Sequence, residues 1–144
     1  MTVIYYDLET TDLSKTSQIV SIGAVTEHGA TFHRYLIPTC PISPRASQIH
    51  DITLEDGLLH KNGVWKRKAL GQREGLQTFM DWLESKDAQC LVAHNNLRFD
   101  SIILKNSMAR FGVKRPRNGF SRWFFVDSLQ LMRGKLLNYK WLHI

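Results

Sequence analysis

The sequence has few of the residues that mark secreted or membrane proteins. Its 144 residues include two cysteines, Cys40 and Cys90, whose spacing fits neither a disulfide framework nor a pair of metal ligands. We therefore expect a reducing compartment and an intracellular location, cytoplasmic or nuclear. The N-terminus has no basic stretch followed by an apolar core, and no apolar run approaches transmembrane length. The sequence thus predicts no signal peptide and no membrane partner.

What is present is the composition of one globular domain. The chain is 43% hydrophobic and 22% charged, and it has no internal repeat or low-complexity linker. We therefore expect a single domain over residues 1–144. Lys and Arg total 19 and Asp and Glu total 13, so the formal net charge is +6. This excess favours a polyanionic partner such as nucleic acid, or an anionic surface.

The hydrophobic patterning predicts an α/β fold. Runs rich in apolar and β-branched residues predict five strands, at 2–8, 18–26, 31–37, 90–93 and 123–126. Apolar residues at helical spacing predict three longer helices, at 73–85, 97–111 and 129–136. The short link "EHGA" favours an antiparallel hairpin between the second and third strands. Three strands followed by alternation predict a mixed sheet with helices on its faces.

Two short helices are also predicted from capping signals. Ser43 followed by Pro44 is typical of an N-cap and a first helical position. Thr53 and Asp56 have the spacing of a capping box, which predicts another short helix there.

Two acids, Asp7 and Glu9, end the first strand in the stretch "YYDLETTDL". Side chains alternate along a strand, so these two share one face. Carboxylates about 4 Å apart repel by roughly 4 kcal/mol at an effective dielectric of about 20, so a proton, a Lys or Arg, or a divalent cation must relieve them. Oxygen ligands without His or Cys suit Mg²⁺ or Mn²⁺. The alternative is two solvated acids where a strand enters a polar loop.

A third acid, Asp100, follows a buried strand and a polar turn in "LVAHNNLRFD". The helix dipole alone favours Asp in a first helical turn. If the strand before it pairs in parallel with the first strand, however, Asp100 reaches the same sheet edge as Asp7 and Glu9. A divalent-metal cluster then explains the three acids better than solvation does.

The stretches "DLETT", "QIVSIGAV", "IHDIT" and "AHNNLRFD" together resemble the DEDD superfamily of 3′–5′ exonucleases, which has the ribonuclease H-like fold. The resemblance covers nearly the whole chain in the family's order, and it is strongest to the DEDDh branch. It implies a mixed five-stranded sheet flanked by helices. It also implies a metal-dependent exonuclease that trims 3′ ends of single-stranded DNA or RNA by two-metal phosphodiester hydrolysis.

The resemblance also implies roles for individual residues. Asp7 would bridge two divalent ions, Glu9 would bind the ion that activates water, and Asp100 would help to hold the other. Further positions match those that line the pocket of the 3′-terminal nucleotide or orient the site, and these are Thr10, Thr11, Leu13, His94, Asn95 and Phe99. Among them, Leu13 would press on the terminal base.

Two features depart from the family pattern. Asp12 stands where the family usually has Gly; Asp tolerates a left-handed backbone, but its carboxylate can repel a nucleic-acid backbone. The branch's third motif is a His, the general base, followed five residues later by the fourth Asp, and residues 101–144 contain no such pair. Asp127 matches a family Asp that is not a ligand and is expected to cap the next helix, and His143 has no Asp five residues on.

The missing motif has physical consequences. "LNYKWLHI" resembles the helix that precedes the third motif, so we expect the last helix to be missing. Because a positioned general base contributes about 10²–10⁴-fold, we expect this chain to be inactive or nearly so by itself, with its second metal weakly held. The uncovered sheet face would expose apolar surface, which a dimer or a partner chain would cover.

Two basic stretches are interleaved with aromatic residues. The first, 60–73, surrounds Trp65, and the second, 114–123, lies near Phe120 and Trp123. Their cations are Lys61, Lys66, Arg67, Lys68 and Arg73, then Lys114, Arg115, Arg117 and Arg122. Cations suit phosphates and flat rings suit bases, so we expect the group to contact single-stranded nucleic acid. The alternative is solvated loops with core aromatics, and "KRPR" also resembles a nuclear import patch.

Three functions therefore remain open. The first is an impaired 3′–5′ exonuclease, and the second is a catalytically inactive relative that binds nucleic acid or protein. The third is a structural or regulatory protein that dimerises through its exposed sheet face.

Overall fold

A computed structural model describes residues 2–114, 123–129 and 140–142, which form a mixed α/β domain. Its strands are β1 Thr2–Thr10, β2 Ile19–Thr26, β3 Thr31–Ile37, β4 Ile52–Glu55, β5 Leu58–Lys61, β6 Val64–Trp65, β7 Leu70–Gly71, β8 Ala88–Ala93, β9 Trp123–Asp127 and β10 Lys140–Leu142. Its helices are α1 Pro44–His50, α2 Gln72–Ser85 and α3 Asp100–Phe111.

One mixed sheet organises the domain, with strand order β10-β9-β8-β1-β2-β3-β7. β1, β2 and β3 are antiparallel neighbours, whereas β8 pairs in parallel with both β1 and β9. This arrangement confirms the ribonuclease H-like architecture. The five predicted strands correspond to β1, β2, β3, β8 and β9, and the sheet gains β7 and β10 at its two edges.

The helices cover the sheet through apolar stripes. α1 begins as predicted, because the Ser43 hydroxyl accepts a hydrogen bond from the Ala46 N–H at 3.1 Å and Pro44 follows it. α2 buries the predicted stripe of Leu76, Phe79, Met80 and Leu83 in the main core. α3 begins at Asp100 rather than at residue 97, because residues 94–99 form turns after β8.

The helix predicted from Thr53 and Asp56 is wrong. Residues 52–55 form β4, which pairs with β5, and β5 pairs with β6 in a separate three-stranded antiparallel sheet. The cause is turn chemistry: Asp56-Gly57 and Asn62-Gly63 each form a two-residue link with positive φ at both positions. Asp-Gly and Asn-Gly are the sequences that such hairpin turns prefer, so this signal was present and overlooked.

The C-terminal prediction is also corrected in part. Residues 140–142 form β10, antiparallel to β9, and not the helix that "LNYKWLHI" resembled. The edge of β9 presents backbone groups that a strand can pair and a helix cannot. Most of the helix predicted at 129–136, and the basic residues 115–122, lie outside the described residues.

Within the described part of the chain, no helix is long and apolar enough to cross a bilayer.

Candidate active site

Strand lengths bring the predicted acids to one edge of the sheet. β1 stays in parallel register with β8 through Tyr5 opposite Val92, and it then continues to Thr10 beyond the end of β8. The turn that follows β8 leads to Asp100 in the first turn of α3. The backbone N–H of Leu8 donates a hydrogen bond to Asp100 Oδ2 at 3.3 Å. Asp100 therefore contacts the strand segment that lies between the two other acids.

The electrostatics at this edge are unfavourable for negative charge. Asp100 is 5% exposed, and its burial, followed by the charge of Asp7, raises its pKa to about 7. Burial also raises the pKa of Asp7. The pKa of Glu9 is raised by burial first and by Asp7 second, although His50 and Lys61 act in the opposite direction. Burial thus outweighs the stabilising contacts at all three carboxylates, and like charge adds to it at Glu9 and Asp100.

The donor set fits a hard divalent cation. Carboxylate oxygens are the ligands that Mg²⁺ and Mn²⁺ prefer, and a doubly positive charge would offset the cost of holding three negative charges close together in a partly buried place. In their present rotamers the side chains are not a finished chelate, since no three His, Cys, Asp or Glu groups converge on one ion position within residues 2–114, 123–129 and 140–142. Asp7 is exposed and Glu9 half-buried, so both have room to turn toward an ion.

His50, in the "IHDIT" stretch, fixes the end of β1. Its Nδ1 accepts a hydrogen bond from the Ile52 N–H at 3.1 Å, so Nε2 carries the proton and donates to the Thr10 carbonyl at 2.8 Å. The ring is buried and uses both nitrogens. It therefore joins α1 to the strand that carries Glu9, a positioning role that the sequence analysis did not assign.

Thr10, Thr11 and Leu13, which follow Glu9 and are predicted to contact a nucleotide, differ in exposure. Thr10 is buried and its hydroxyl donates to the Asp12 carbonyl at 2.6 Å. Thr11 is also buried, and its hydroxyl accepts from the Gln18 N–H at 3.0 Å. Leu13 is 46% exposed. The two threonine side chains therefore stabilise the loop, while Leu13 is open to a ligand.

Asp12, which stands where the family usually has Gly, does not adopt a left-handed conformation. The non-glycine residues with positive φ in the described chain are Asp51, Asp56, Asn62, Asp87 and Asn95. Instead, Asp12 Oδ1 accepts from the Leu13 N–H at 2.8 Å and from the Ser43 hydroxyl at 3.3 Å. The side chain thus closes the turn by hydrogen bonding, and no glycine is needed.

The second predicted motif forms the turn before α3. Asn95 has φ of 57°, and its carbonyl accepts from the Phe99 N–H at 3.0 Å. His94 is exposed, with Nδ1 at 3.4 Å from the Ser128 hydroxyl, and half-buried Phe99 packs against the main core. These residues shape the turn that delivers Asp100.

A buried polar network behind the acids was not predicted. The Tyr6 hydroxyl donates to Asn96 Oδ1, and Asn96 Nδ2 donates to the carbonyls of Leu91 at 3.0 Å and Val126 at 3.1 Å. Asn96 is 0% exposed. Burial, followed by the charge of Asp100, raises the pKa of Tyr6 far above its ordinary value, so the phenol stays protonated. One amide side chain therefore links β1, β8 and β9 at the ends that carry the acids.

Asp127 adds a second link at the same place. Its Oδ1 accepts from the Leu129 N–H at 3.0 Å, which is the N-cap bond expected for it, and its Oδ2 accepts from the Leu97 N–H at 3.2 Å. Nothing in the sequence pattern distinguishes the buried Asn96, or an Asp127 that accepts two hydrogen bonds, from the polar residues of an exposed turn.

Comparison with known proteins gives a concordant result. The family model described as "RNase_T: Exonuclease" matches residues 4–143. Exonuclease DPD1 of Arabidopsis thaliana, described as chloroplastic/mitochondrial, is 32% identical over 142 residues, which is 92% of this chain and 41% of that protein. The chain thus spans about two fifths of the length of this curated relative.

Solved structures of exonuclease I have the same fold. E. coli exonuclease I in complex with a dT13 oligonucleotide matches with a TM-score of 0.69 at 18% identity, over 92% of this chain and 29% of that one. The zinc ion bound form of the E. coli ExoI–ssDNA complex matches with a TM-score of 0.70 at 20% identity, over 92% and 29% of the two chains.

Proposed function

The chain belongs to the RNase_T family of exonucleases, and from this premise we propose that it is a metal-dependent 3′–5′ exonuclease domain of the DEDDh type, acting on single-stranded DNA or RNA ends. The observation that supports this most directly is the meeting of Asp7, Glu9 and Asp100 at one sheet edge, where each carboxyl has a raised pKa. A site for divalent cations explains why a fold would keep three acids in a place that penalises their charge.

In this proposal the three carboxylates hold Mg²⁺ or Mn²⁺. Such ions would supply Lewis acidity and an activated water for an in-line displacement at a phosphodiester. The protein's own groups position this site: the Leu8 N–H orients Asp100, and His50 holds the end of β1. Leu13, which is exposed beside the acids, packs against the terminal base.

We further propose that these 144 residues by themselves turn over slowly. No His followed five residues later by Asp occurs between 101 and 144, and a positioned general base is worth about 10²–10⁴-fold. The second metal, lacking the fourth carboxylate, binds weakly. The same observation favours the alternative, a catalytically inactive exonuclease-like domain that binds nucleic acid or a protein.

A nuclease assay separates these possibilities. Single-stranded DNA and RNA labelled at the 5′ end are incubated with Mg²⁺ or Mn²⁺ and with the protein, Asp7→Asn or Asp81→Asn. Slow shortening from the 3′ end that Asp7→Asn abolishes and Asp81→Asn retains supports the exonuclease, because Asp81 is an exposed acid of α2. Salt-dependent binding without hydrolysis selects the inactive binder, and absence of both selects a structural or regulatory protein. Rapid turnover refutes the proposed impairment.

Two wider predictions accompany this function. A dimer or partner chain covering the C-terminal sheet face is tested by light scattering across a concentration series. A cytoplasmic or nuclear location is tested by imaging a tagged chain; the Arabidopsis relative is described as chloroplastic/mitochondrial, so organelle signal is the contrary outcome.

A further inference from the structure

A groove of about 400 Å³ lies between the edge of β3 and the segment that follows β6. We call it the β3–β6 surface, defined by His33, Tyr35, Trp65, Lys66 and Arg67. Arg34, Lys68 and Ala69 complete the lining of the groove, which contains no Asp or Glu in the described part of the chain. The groove is therefore cationic and aromatic. It is separate from the place at the end of β1 where Asp7, Glu9 and Asp100 meet, which we call the acidic edge.

Cations and rings are stacked in pairs on this surface. The Arg67 guanidinium carbon lies 5.4 Å from the centre of the Trp65 ring, and Lys66 Nζ lies 5.3 Å from the centre of the Tyr35 ring. Trp65 is nevertheless 47% exposed, so much of its ring area remains open to a ligand. Each pair thus presents a positive charge beside a flat apolar ring.

The strand register connects this surface to the acids. Glu9 lies opposite Ser21, and Ser21 lies opposite Tyr35; the neighbouring row runs in the same way from Asp7 to His33. Residues directly opposite in antiparallel strands share a face of the sheet. Two strand spacings amount to about 10 Å, so the β3–β6 surface begins about that far from the carboxylates, on their face.

Of the two rows, the one from Asp7 through Gly23 to His33 is the open one, because Ser21 in the other row is buried. Gly23, in the row between Asp7 and His33, has no side chain, and a Cβ there would meet nothing nearer than His33 Cδ2 at 3.7 Å. Lys61 donates from Nζ to the His50 carbonyl beside this row. Its charge lowers the pKa of both Glu9 and His33, so Lys61 lies near both the acids and the β3–β6 surface.

We propose that a single nucleic-acid strand whose 3′ end lies at Asp7 and Glu9 crosses β1, β2 and β3 along the row from Asp7 through Gly23 to His33 and leaves over the β3–β6 surface. Lys66 and Arg67 bind its phosphates, and an unpaired base stacks on Trp65. This inference rests on the proposed function for the position of the 3′ end. It adds the direction of the strand and a second binding site outside the acidic edge.

Single-stranded nucleic acid fits this surface better than other polyanions do. An acidic peptide or an anionic membrane would use the cations and leave the exposed ring without a specific role. Aromatic rings interleaved with cations match alternating bases and phosphates, and stacking is available to every base whatever its sequence. Duplex DNA keeps its bases paired and stacked, so it would contact the cations alone.

Fluorescence anisotropy with labelled oligonucleotides in EDTA tests the inference without hydrolysis. A single strand of about 12 nucleotides is long enough to span the acids and the β3–β6 surface. We expect Trp65→Ala to weaken its binding by roughly 5- to 150-fold and Trp65→Phe to retain most of it. On an abasic strand of equal length, Trp65→Ala should have no effect.

Charge is tested with two double variants of equal net charge. Lys66→Gln with Arg67→Gln should reduce the slope of log K against log salt by about 1.4, since each phosphate contact on a single strand contributes about 0.7. Lys105→Gln with Arg110→Gln, which removes two exposed cations from α3, should leave the slope unchanged.

Several outcomes would overturn the inference. The first is that the two double variants change the salt slope equally. The second is that Trp65→Ala weakens the binding of base-containing and abasic strands equally. The third is that polyglutamate competes for the protein as strongly as the oligonucleotide does. Because the assay contains no metal, its result is independent of hydrolysis. If the protein trims 3′ ends but the variants of this surface bind as the original chain does, this inference is wrong and the proposed function stands. If the strand binds through this surface but no trimming occurs, the proposed function is wrong and binding at this surface stands.

Discussion

Replacing Asp100 by Asn should stabilise the metal-free protein, even though it removes a proposed ligand. Asp100 is buried, and its pKa of about 7 lies far above the ordinary value of 3.8. A carboxyl with a raised folded-state pKa holds its proton more tightly when folded. Its contribution to stability is therefore present below pH 3.8 and is lost as the pH rises to about 7.

The magnitude follows from the difference between the two pKa values. That difference is about 3 pH units, and each unit corresponds to about 1.4 kcal/mol, so ionising Asp100 costs at most about 4 kcal/mol of unfolding free energy at pH 8. Asn has nearly the same shape, and its Oδ1 can still accept the hydrogen bond from the Leu8 N–H. The gain from Asp100→Asn should thus grow from under about 1 kcal/mol at pH 4 to as much as about 4 kcal/mol at pH 8.

Urea unfolding in EDTA at a series of pH values measures this gain. Asp81→Asn, an exposed acid on α2, is the matched control and should change stability by less than about 0.5 kcal/mol at every pH. Adding Mn²⁺ at pH 8 should then reverse the order, because an ion bound to the folded state stabilises the original chain and not the variant. If the difference in unfolding free energy between the original chain and Asp100→Asn does not change with pH, the argument from burial is wrong. If Mn²⁺ stabilises both proteins equally, Asp100 is not a metal ligand.

Three further substitutions probe the scaffold by urea unfolding at constant pH. Asn96→Ala should lower the unfolding free energy by about 2–4 kcal/mol, because it leaves the buried Tyr6 hydroxyl without Asn96 and removes two hydrogen bonds to strand carbonyls; a loss below about 1 kcal/mol would contradict this. Gly75→Ala should cost about 1–2 kcal/mol despite the better helix propensity, because the new Cβ would lie 2.5 Å from Cγ of the fully buried Leu36; a stabilised variant would show that α2 can shift. Ser43→Ala should cost about 0.5–2 kcal/mol through loss of the N-cap bond, and an unchanged midpoint would count against that bond.

Controls for these variants come from exposed positions on the same elements or of the same type. Lys105→Ala, on the exposed side of α3, and Gln77→Ala, on the exposed side of α2, should each stay within about 0.5 kcal/mol of the original chain. Exonuclease assays of the Asn96 variant add a second readout, because displaced strand ends should reduce turnover even when the protein is folded.

The sheet, the long helix and the likeness to exonucleases could be predicted because their signals are local or contiguous. Alternation along residues 2–10 placed Asp7 and Glu9 on one face, and the apolar stripe of residues 73–85 defined α2 to within one residue. At residues 52–65 two local signals conflict: the capping-box spacing of Thr53 and Asp56 predicts a helix, whereas Asp56-Gly57 and Asn62-Gly63 favour the hairpins of the second sheet.

What the sequence by itself determined is therefore the order of β1, β2, β3, α2, β8, α3 and β9 and the presence of two acids on one face of β1, because both depend on side-chain periodicity over a few residues. Only the tertiary structure decided that Asp100 lies against Leu8, 92 residues away, that Asn96 is fully buried, and that Tyr35 and Trp65 share a basic surface on the acids' face. The physical reason is that burial, pKa and surface charge arise from groups that meet in space. No local pattern encodes which distant partner will be there.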